Sequence, residues 1–355
     1  MNIAIIGAGA SALFLSALLK NKHNIVLFER NKKIASKLLA SGNGRCNLLN
    51  LNANPKSYNN CEFMEKVFRR YNVFDIKKIF ERMGLEMISD DEGRVYPISL
   101  ISETVLDILL DNIDAKIELN YIVNRITKVG SKYQINDYNI LFDKVVLASG
   151  SSASIVNDKQ ELCYNYLKSL DLKITKLNPS LVGFKSMKSF KEISGVRSKA
   201  RVSLYADGKI IYTEDGEVIF KDDGISGIVV MNMSSYYSRL NPKKAYLSLD
   251  LLEGLNPSNL KGALNPKLYR YITSNDIDIH SFIVDIKSTY DIKDAQVVNG
   301  GVDIKSIDDF FRLRKDNNIY LMGEMLDIDG VCGGYNLSFA FLSALIVGSD
   351  LGYEN

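Results

Sequence analysis

The sequence predicts an α/β fold in which a βαβ-type domain, assembled from both ends of the chain, is interrupted by a β-rich and partly helical insert. Three observations carry this. The first thirty residues read strand, glycine turn, apolar helix, strand. Beyond Leu177-Asn178-Pro179 the pattern changes to glycine-punctuated alternation. Near the C-terminus a second strand-to-glycine-to-helix construction returns, Asn318-Ile319-Tyr320-Leu321-Met322 leading through Gly323-Glu324 to a final apolar helix over Leu337 to Gly348.

In the first element, Asn2 to Ile6 is an apolar strand and Gly7-Ala8-Gly9-Ala10-Ser11-Ala12 the turn that opens a helix. Gly7 permits the tight turn, Gly9 lets backbone approach a pyrophosphate, and the small Ala12 allows close helix–strand packing. Phosphates then meet unpaired amides at the positive end of the helix. Glu29 ends the second strand twenty residues after Gly9. A carboxylate there accepts both hydroxyls of a ribose, which favours FAD or NAD and repels a 2′-phosphate. The competing readings are an ordinary glycine turn of another α/β domain and a secretory signal. The second lacks a basic stretch before the apolar run and is broken by two glycines.

At 355 residues the chain fits two or three domains. With 46% hydrophobic and 24% charged residues it reads as globular throughout. The 44 basic and 42 acidic residues nearly cancel, which neither demands nor excludes a nucleic-acid partner, since a basic patch can hide in a neutral total. Cys46, Cys61, Cys163 and Cys332 are scattered without metal-ligand spacing, so neither zinc nor a disulfide framework is expected, and a reducing cytoplasm is the natural compartment. The final apolar helix is shorter than the roughly 20 residues that span a bilayer, so no membrane partner is expected.

Between the two ends, Ser41-Gly42-Asn43-Gly44-Arg45-Cys46-Asn47 reads either as a loop that presses backbone against a flat ligand or as a basic surface helix ending in a glycine turn. Residues 62 to 83 form a helical pair through Phe63, Val67, Phe68, Phe74, Ile76, Ile79, Phe80 and Met83, and Ser102 to Asp111 a further helix. A sheet strand and a small meander follow from Lys116, closing on the buried strand Lys144-Val145-Val146-Leu147-Ala148-Ser149-Gly150. Residues 159 to 170 read as helix. The insert has strands at Leu181 to Phe184, Ala200 to Ala206, Ile210 to Thr213 and Glu217 to Phe220, with turns at Asp207-Gly208 and Asp215-Gly216. Gly224-Ile225-Ser226-Gly227 begins a helix, Ala245 to Leu251 is a strand, and Leu255 to Lys287 is mostly helical. The domains are therefore 1–174 with 294–355, and 175–293.

The motifs taken together carry a family resemblance: Gly7 to Ala12, Ser41 to Asn47, Leu147 to Gly150, Asp223-Gly224-Ile225-Ser226-Gly227, Gly323-Glu324-Met325-Leu326-Asp327-Ile328-Asp329-Gly330, and Gly333-Gly334-Tyr335-Asn336. Over nearly its full length the chain resembles the BaiN/YhiN-like flavoproteins, the aminoacetone oxidase family of NAD(P)/FAD-dependent oxidoreductases. The resemblance implies a glutathione-reductase-like FAD-binding Rossmann domain with the insert described above. It implies that Gly7, Gly9, Ala10, Ser11 and Ala12 hold the pyrophosphate and Glu29, with Arg30 beside it, the adenosine ribose. Val123 offers its backbone to the adenine. By the same resemblance Gly42, Asn43, Gly44, Arg45, Cys46 and Asn47 lie along the flavin ring and Glu324 by the ribityl chain, and Lys37, Ser41, Ala148, Ser149, Gly150 and Gly323 also belong to the cofactor site. Gly333, Gly334, Tyr335 and Asn336 bring a helix N-terminus to the pyrimidine edge. The chain departs from its relatives at Ala35-Ser36, Ser151 and Cys332, which leaves the exact substrate open.

The activity so implied is hydride transfer through flavin N5, directed at a carbon–carbon double bond of a small-molecule substrate. With one dinucleotide fingerprint in the chain, any NAD(P)H docks only transiently. The alternatives are reduction of uridine in ribosomal RNA, with Lys185, Lys188, Lys191, Arg197, Lys199 and Arg201 as a phosphate-binding face, and a non-catalytic FAD sensor. Cys46 is the candidate proton donor, against the plainer reading of a packed small side chain. His23 and His280 read as surface residues.

Overall fold

Aliphatic runs at the two chain ends form one sheet. The computed structural model describes residues 1–154 and 163–354, in which residues 1–151, 163–176 and 300–354 form one unit and 152–154 with 177–299 a second. The first unit opens with β1 (Asn2–Ile6), α1 (Ala10–Leu18), β2 (Asn24–Phe28) and α2 (Ser36–Ala40). It continues through β3 (Leu49–Asn50), α3 (Cys61–Arg70), α4 (Val73–Arg82), β4 (Met87–Ser89), β5 (Arg94–Pro97) and α5 (Ser102–Asp111). It reaches β6 (Ala115–Glu118), the hairpin β7 (Ile126–Val129) and β8 (Lys132–Ile135), and β9 (Lys144–Leu147). The α3–α4 junction is set locally: Asn72 accepts from the Phe74 amide while Asp75 accepts from the Asn72 amide, a capping box that starts α4. Of the helix read at 159–170, residues 159–162 lie outside the described residues, and Asn165–Leu170 is a 3-10 helix.

The second unit runs β10 (Asn178–Ser180), β11 (Phe184–Ser186), β12 (Arg197–Ala206), β13 (Lys209–Lys221), β14 (Gly224–Ser226), α6 (Ile228–Leu240), β15 (Ala245–Asp250), α7 (Leu260–Ala263), α8 (Pro266–Ser274), β16 (Phe282–Thr289) and β17 (Val297–Asn299). Strands β11-β14-β13-β12-β15-β16 close into a barrel filled by Val202, Leu204, Phe220, Leu247, Leu249 and Phe282. Asp207 and Gly208, both at positive φ, make the β12–β13 hairpin turn. Four readings of the insert are corrected. Asp215-Gly216 is not a turn, because β13 runs straight through it with Asp215 opposite Arg201. Leu181 to Gly183 precede β11 rather than forming its strand, Leu181 having φ 51°. Gly224 to Ser226 is a strand, and the helix begins only after Gly227 at φ 113°. Phe282 to Lys287 belongs to β16, not to a helix.

The chain then supplies β18 (Arg312–Leu313), β19 (Asp316–Leu321) and α9 (Tyr335–Asp350), completing the sheet β18-β19-β9-β1-β2-β6. β1 pairs in parallel with β2 and β9, and β9 with β19. Apolar on every side, α9 is buried from Ser338 to Gly348. His23 Nε2 lies 2.7 Å from the Leu351 carbonyl, and His280 Nδ1 2.8 Å from Asp250, both rings half-buried.

Candidate cofactor site

At the β1–α1 turn, Gly7 has φ 109°, and a Cβ there would stand 2.4 Å from the Ala148 carbonyl of β9's end. Only glycine fits. Gly9 differs: its backbone is extended, it caps α1 without a side-chain hydrogen bond, and a Cβ added to it meets nothing within 4 Å. The start of α1 therefore has open space beside Gly9 and first-turn amides that no side chain caps. The buried Glu29 carboxylate accepts from the Ala8 amide at 3.0 Å and from the Asn31 amide and side chain at 2.8 Å each. These bonds fix the acid against the glycine turn and compensate its burial.

Other predicted residues are drawn into the protein's own network. Arg30 donates to the Cys163 sulfur at 2.9 Å. Ser149 donates to the Cys163 carbonyl at 2.8 Å and lies 2.7 Å from the Tyr166 hydroxyl. The Ala148 amide continues the sheet to Ile6, and Gly150, at φ 70°, faces open space. Around the buried Val123, the Asn136 side chain binds the Ile122 carbonyl and the Asn124 and Arg125 amides, fixing the backbone on either side of it.

The segment Ser41–Gly44 is a 3-10 turn after α2, with Gly42 and Asn43 in the left-handed region. Gly42, Asn43 and Arg45 are exposed and Ser41 and Gly44 half-buried, whereas Cys46 is wholly buried at φ 55°. Burial pushes the Cys46 thiol up to about 11, with Ser41 partly opposing. The thiol therefore stays protonated across the physiological range, since its charge appears only as pH approaches that value. Iodoacetamide at pH 8 is expected to leave Cys46 unlabelled in the native protein and to label it after denaturation; peptide mass spectrometry reads both states. Native labelling would show that the thiol is open to solvent.

The two chain ends meet here. A Cβ on Gly323 would stand 3.1 Å from Ser11 Oγ, and one on Gly334 would stand 2.6 Å from both Asn47 Oδ1 and the Leu49 carbonyl. Lys37 pairs with Glu324 at 2.9 Å and donates to the Ser151 carbonyl at 3.1 Å, and Ser151 Oγ donates to Glu324 at 3.1 Å. As a half-exposed pair, Lys37–Glu324 contributes about 0–1 kcal/mol and fixes position more than stability. Gly333 and Gly334, both at positive φ, deliver an α9 N-terminus with no side-chain cap. Asn336 instead closes the loop behind it, accepting from the Gly330 amide at 2.9 Å and donating to the Gly330 carbonyl at 3.0 Å. The Tyr335 carbonyl accepts from Tyr58. Two supports escaped the sequence reading: Asn50, which donates to the Gly333 carbonyl at 2.8 Å, and Ser151. Nothing in the sequence marks Asn50; Ser151 follows Gly150 and was legible only as a departure.

Two uncapped helix starts, a buried acid at the end of β2 and glycines placed by both chain ends accord with the class: an FAD-dependent oxidoreductase with a Rossmann-type cofactor domain. The chain belongs to the family described as "HI0933-like protein Rossmann domain", which matches residues 1–350. It is 26% identical to a 3-dehydro-bile acid delta(4,6)-reductase of Clostridium scindens, over 98% of each chain. It is also 26% identical to a ribosomal RNA dihydrouridine synthase of Haemophilus influenzae, over 96% of each. Among solved structures, a 3-ketosteroid-delta4-(5alpha)-dehydrogenase of Rhodococcus jostii superposes with TM-score 0.53 at 10% identity, over 98% of this chain and 95% of that one. That likeness is one of fold. No helix among the described residues is long and apolar enough to cross a membrane.

Proposed function

We propose that the protein reduces a carbon–carbon double bond of a small-molecule substrate, with NAD(P)H as a transient electron donor. The observation that supports this most is the convergence of Gly323 on Ser11 and of Gly334 on Asn47, which gathers both open helix N-termini into one unit. When bound, FAD supplies hydride transfer through flavin N5. The α1 amides after Gly9 bind the pyrophosphate, and Glu29 accepts the ribose hydroxyls. The loop from Ser41 to Asn47, with Ala148 to Gly150, Gly323 and Glu324, would hold the rest of the cofactor. The α9 amides after Gly334 hold negative charge at the ring edge. Cys46 packs beneath this loop, its proton retained. Both a delta(4,6)-reductase and a dihydrouridine synthase, by name, add hydrogen across a carbon–carbon double bond, so the reaction class is common to the two relatives.

The RNA reading has the second relative in its support, and two of the six basic residues named for its phosphate-binding face are ion-paired within the protein. On the outer surface of β12, Arg197 pairs with Glu217 at 3.0 Å and Arg201 with Asp215 at 2.8 Å. The test is anaerobic reduction of the purified flavoprotein by NADPH or NADH, then reoxidation by either a conjugated steroid enone or an unmodified ribosomal RNA fragment. The expected result is rapid return of the oxidised flavin spectrum with the enone alone. Reoxidation by RNA alone would favour the second reading, and reoxidation by neither would remove the proposed reaction.

A further inference from the structure

The second unit contains a cavity of about 480 Å³. Its floor follows from strand register. Lys185 on β11 and Lys221 on β13 are both direct cross-strand partners of Gly224 on β14. Directly opposed residues of antiparallel strands point to the same face, so two lysines flank a position without a side chain. Tyr290 fills that notch. A Cβ on Gly224 would stand 2.8 Å from its hydroxyl, and one on Gly183 would stand 3.2 Å from its ring. The Tyr290 amide donates to the Gly183 carbonyl at 3.0 Å, and its hydroxyl donates to Asp223 at 2.5 Å. The ring is thus fixed by backbone and side chain together. Lys185 Nζ and Lys221 Nζ lie 5.6 and 4.8 Å from the ring centroid, and neither has an ion-pair partner among the described residues.

We propose that Lys185, Lys221 and Tyr290 form a binding site for a small-molecule monocarboxylate with an apolar body, the carboxylate held by the lysine ammonium groups beside the tyrosine ring and the body against the apolar wall of the cavity. Three observations select this ligand. Two cations approach one aromatic ring, and neither is ion-paired among the described residues. Val182 and Met231 line the same cavity and give the body an apolar wall. Asp223, Asp291 and Asp294 also line it, with Lys293 as a third cation, so a polyanion such as an RNA backbone, or a doubly charged phosphate, meets more repulsion than a single carboxylate does. Tyr290 contributes its face, because its proton is already committed to Asp223; burial and that neighbouring carboxylate both raise its pKa.

This site stands independently of the reductase reading, and its test uses no turnover. The flavin-loaded full chain is titrated with 3-phenylpropanoate and, separately, with its methyl ester, using ligand-detected NMR. The acid is expected to bind at least about tenfold more tightly than the ester, and Lys185→Met with Lys221→Met to abolish that preference, since charge-assisted bonds of this kind are worth about tenfold or more each. Lys221 is exposed and Lys185 half-buried, and neither makes an ion pair among the described residues, so the flavin spectrum and melting temperature of the double variant should match the parent. Equal binding of acid and ester, no binding of either, or an acid preference that survives the double substitution would each overturn the proposal. So would tighter binding of inorganic phosphate, or of a ribosomal RNA fragment, through the same two lysines.

Discussion

Replacing Gly9 with valine should yield a folded protein that has lost its flavin. The reason is the unusual freedom at this position: the backbone is extended, as any residue allows, and a Cβ there has no protein neighbour within 4 Å. Valine therefore strains nothing in the polypeptide but puts three carbon atoms where a pyrophosphate would approach the α1 amides. FAD affinity is expected to fall by about a hundredfold or more, on the order of 3 kcal/mol, read by flavin fluorescence titration. Circular dichroism and the melting temperature of the flavin-free protein should stay near those of flavin-free parent. Gly7→Ala is the contrasting variant. With φ 109° and a carbonyl 2.4 Å from the new methyl, it should lose fold and flavin together. Normal flavin binding by Gly9→Val would place the cofactor elsewhere and remove the basis of the site.

Phe341→Ala should be the most damaging single truncation in the final helix. Phe341 is wholly buried, its ring 5.0 Å from Phe14 of α1 and 5.1 Å from Phe80 of α4, with Phe14 and Phe80 themselves 5.0 Å apart. This triad joins the helix after the first glycine turn to the helix that carries the second. Deleting one ring loses its transfer free energy and leaves a cavity, about 3–5 kcal/mol for a buried phenylalanine. Part of the loss should be recoverable with excess FAD, because ligand binding to the native state alone stabilises it by mass action. Urea midpoints with and without FAD measure both. Phe74→Ala on the exposed face of α4 is the control and should cost under about 0.5 kcal/mol. Equal midpoints for the two variants would show that α9 is not held by this triad.

The parts legible in the sequence were those whose causes are local. The strand and glycine turn at Gly7, the acid at Glu29, the helices α3, α4 and α5 and the buried β9 all follow from periodicity, capping residues or a glycine that a turn requires. The barrel was less legible because its strands are paid for by partners far away in sequence. Asp215-Gly216 carries turn residues, yet Arg201 pairs with the aspartate across the strand, and a Cβ on Gly216 would stand only 3.2 Å from Val229 of α6. There the glycine lets a helix approach the strand. Phe282 to Thr289 likewise has no helix-breaking residue within it, and becomes a strand because β11 and β15 offer it edges.

By itself, then, the sequence determined that a nucleotide-type turn opens the chain and that a matching glycine turn and apolar helix close it, because strand period, helix period and the steric needs of glycine act within a few residues. Only the tertiary structure decided that Gly323 rests on Ser11 and Gly334 on Asn47, that Cys46 is sealed away from solvent, and that two lysines share one tyrosine ring. Those facts depend on which distant surfaces exclude water from one another, and sequence separation carries no information about that distance.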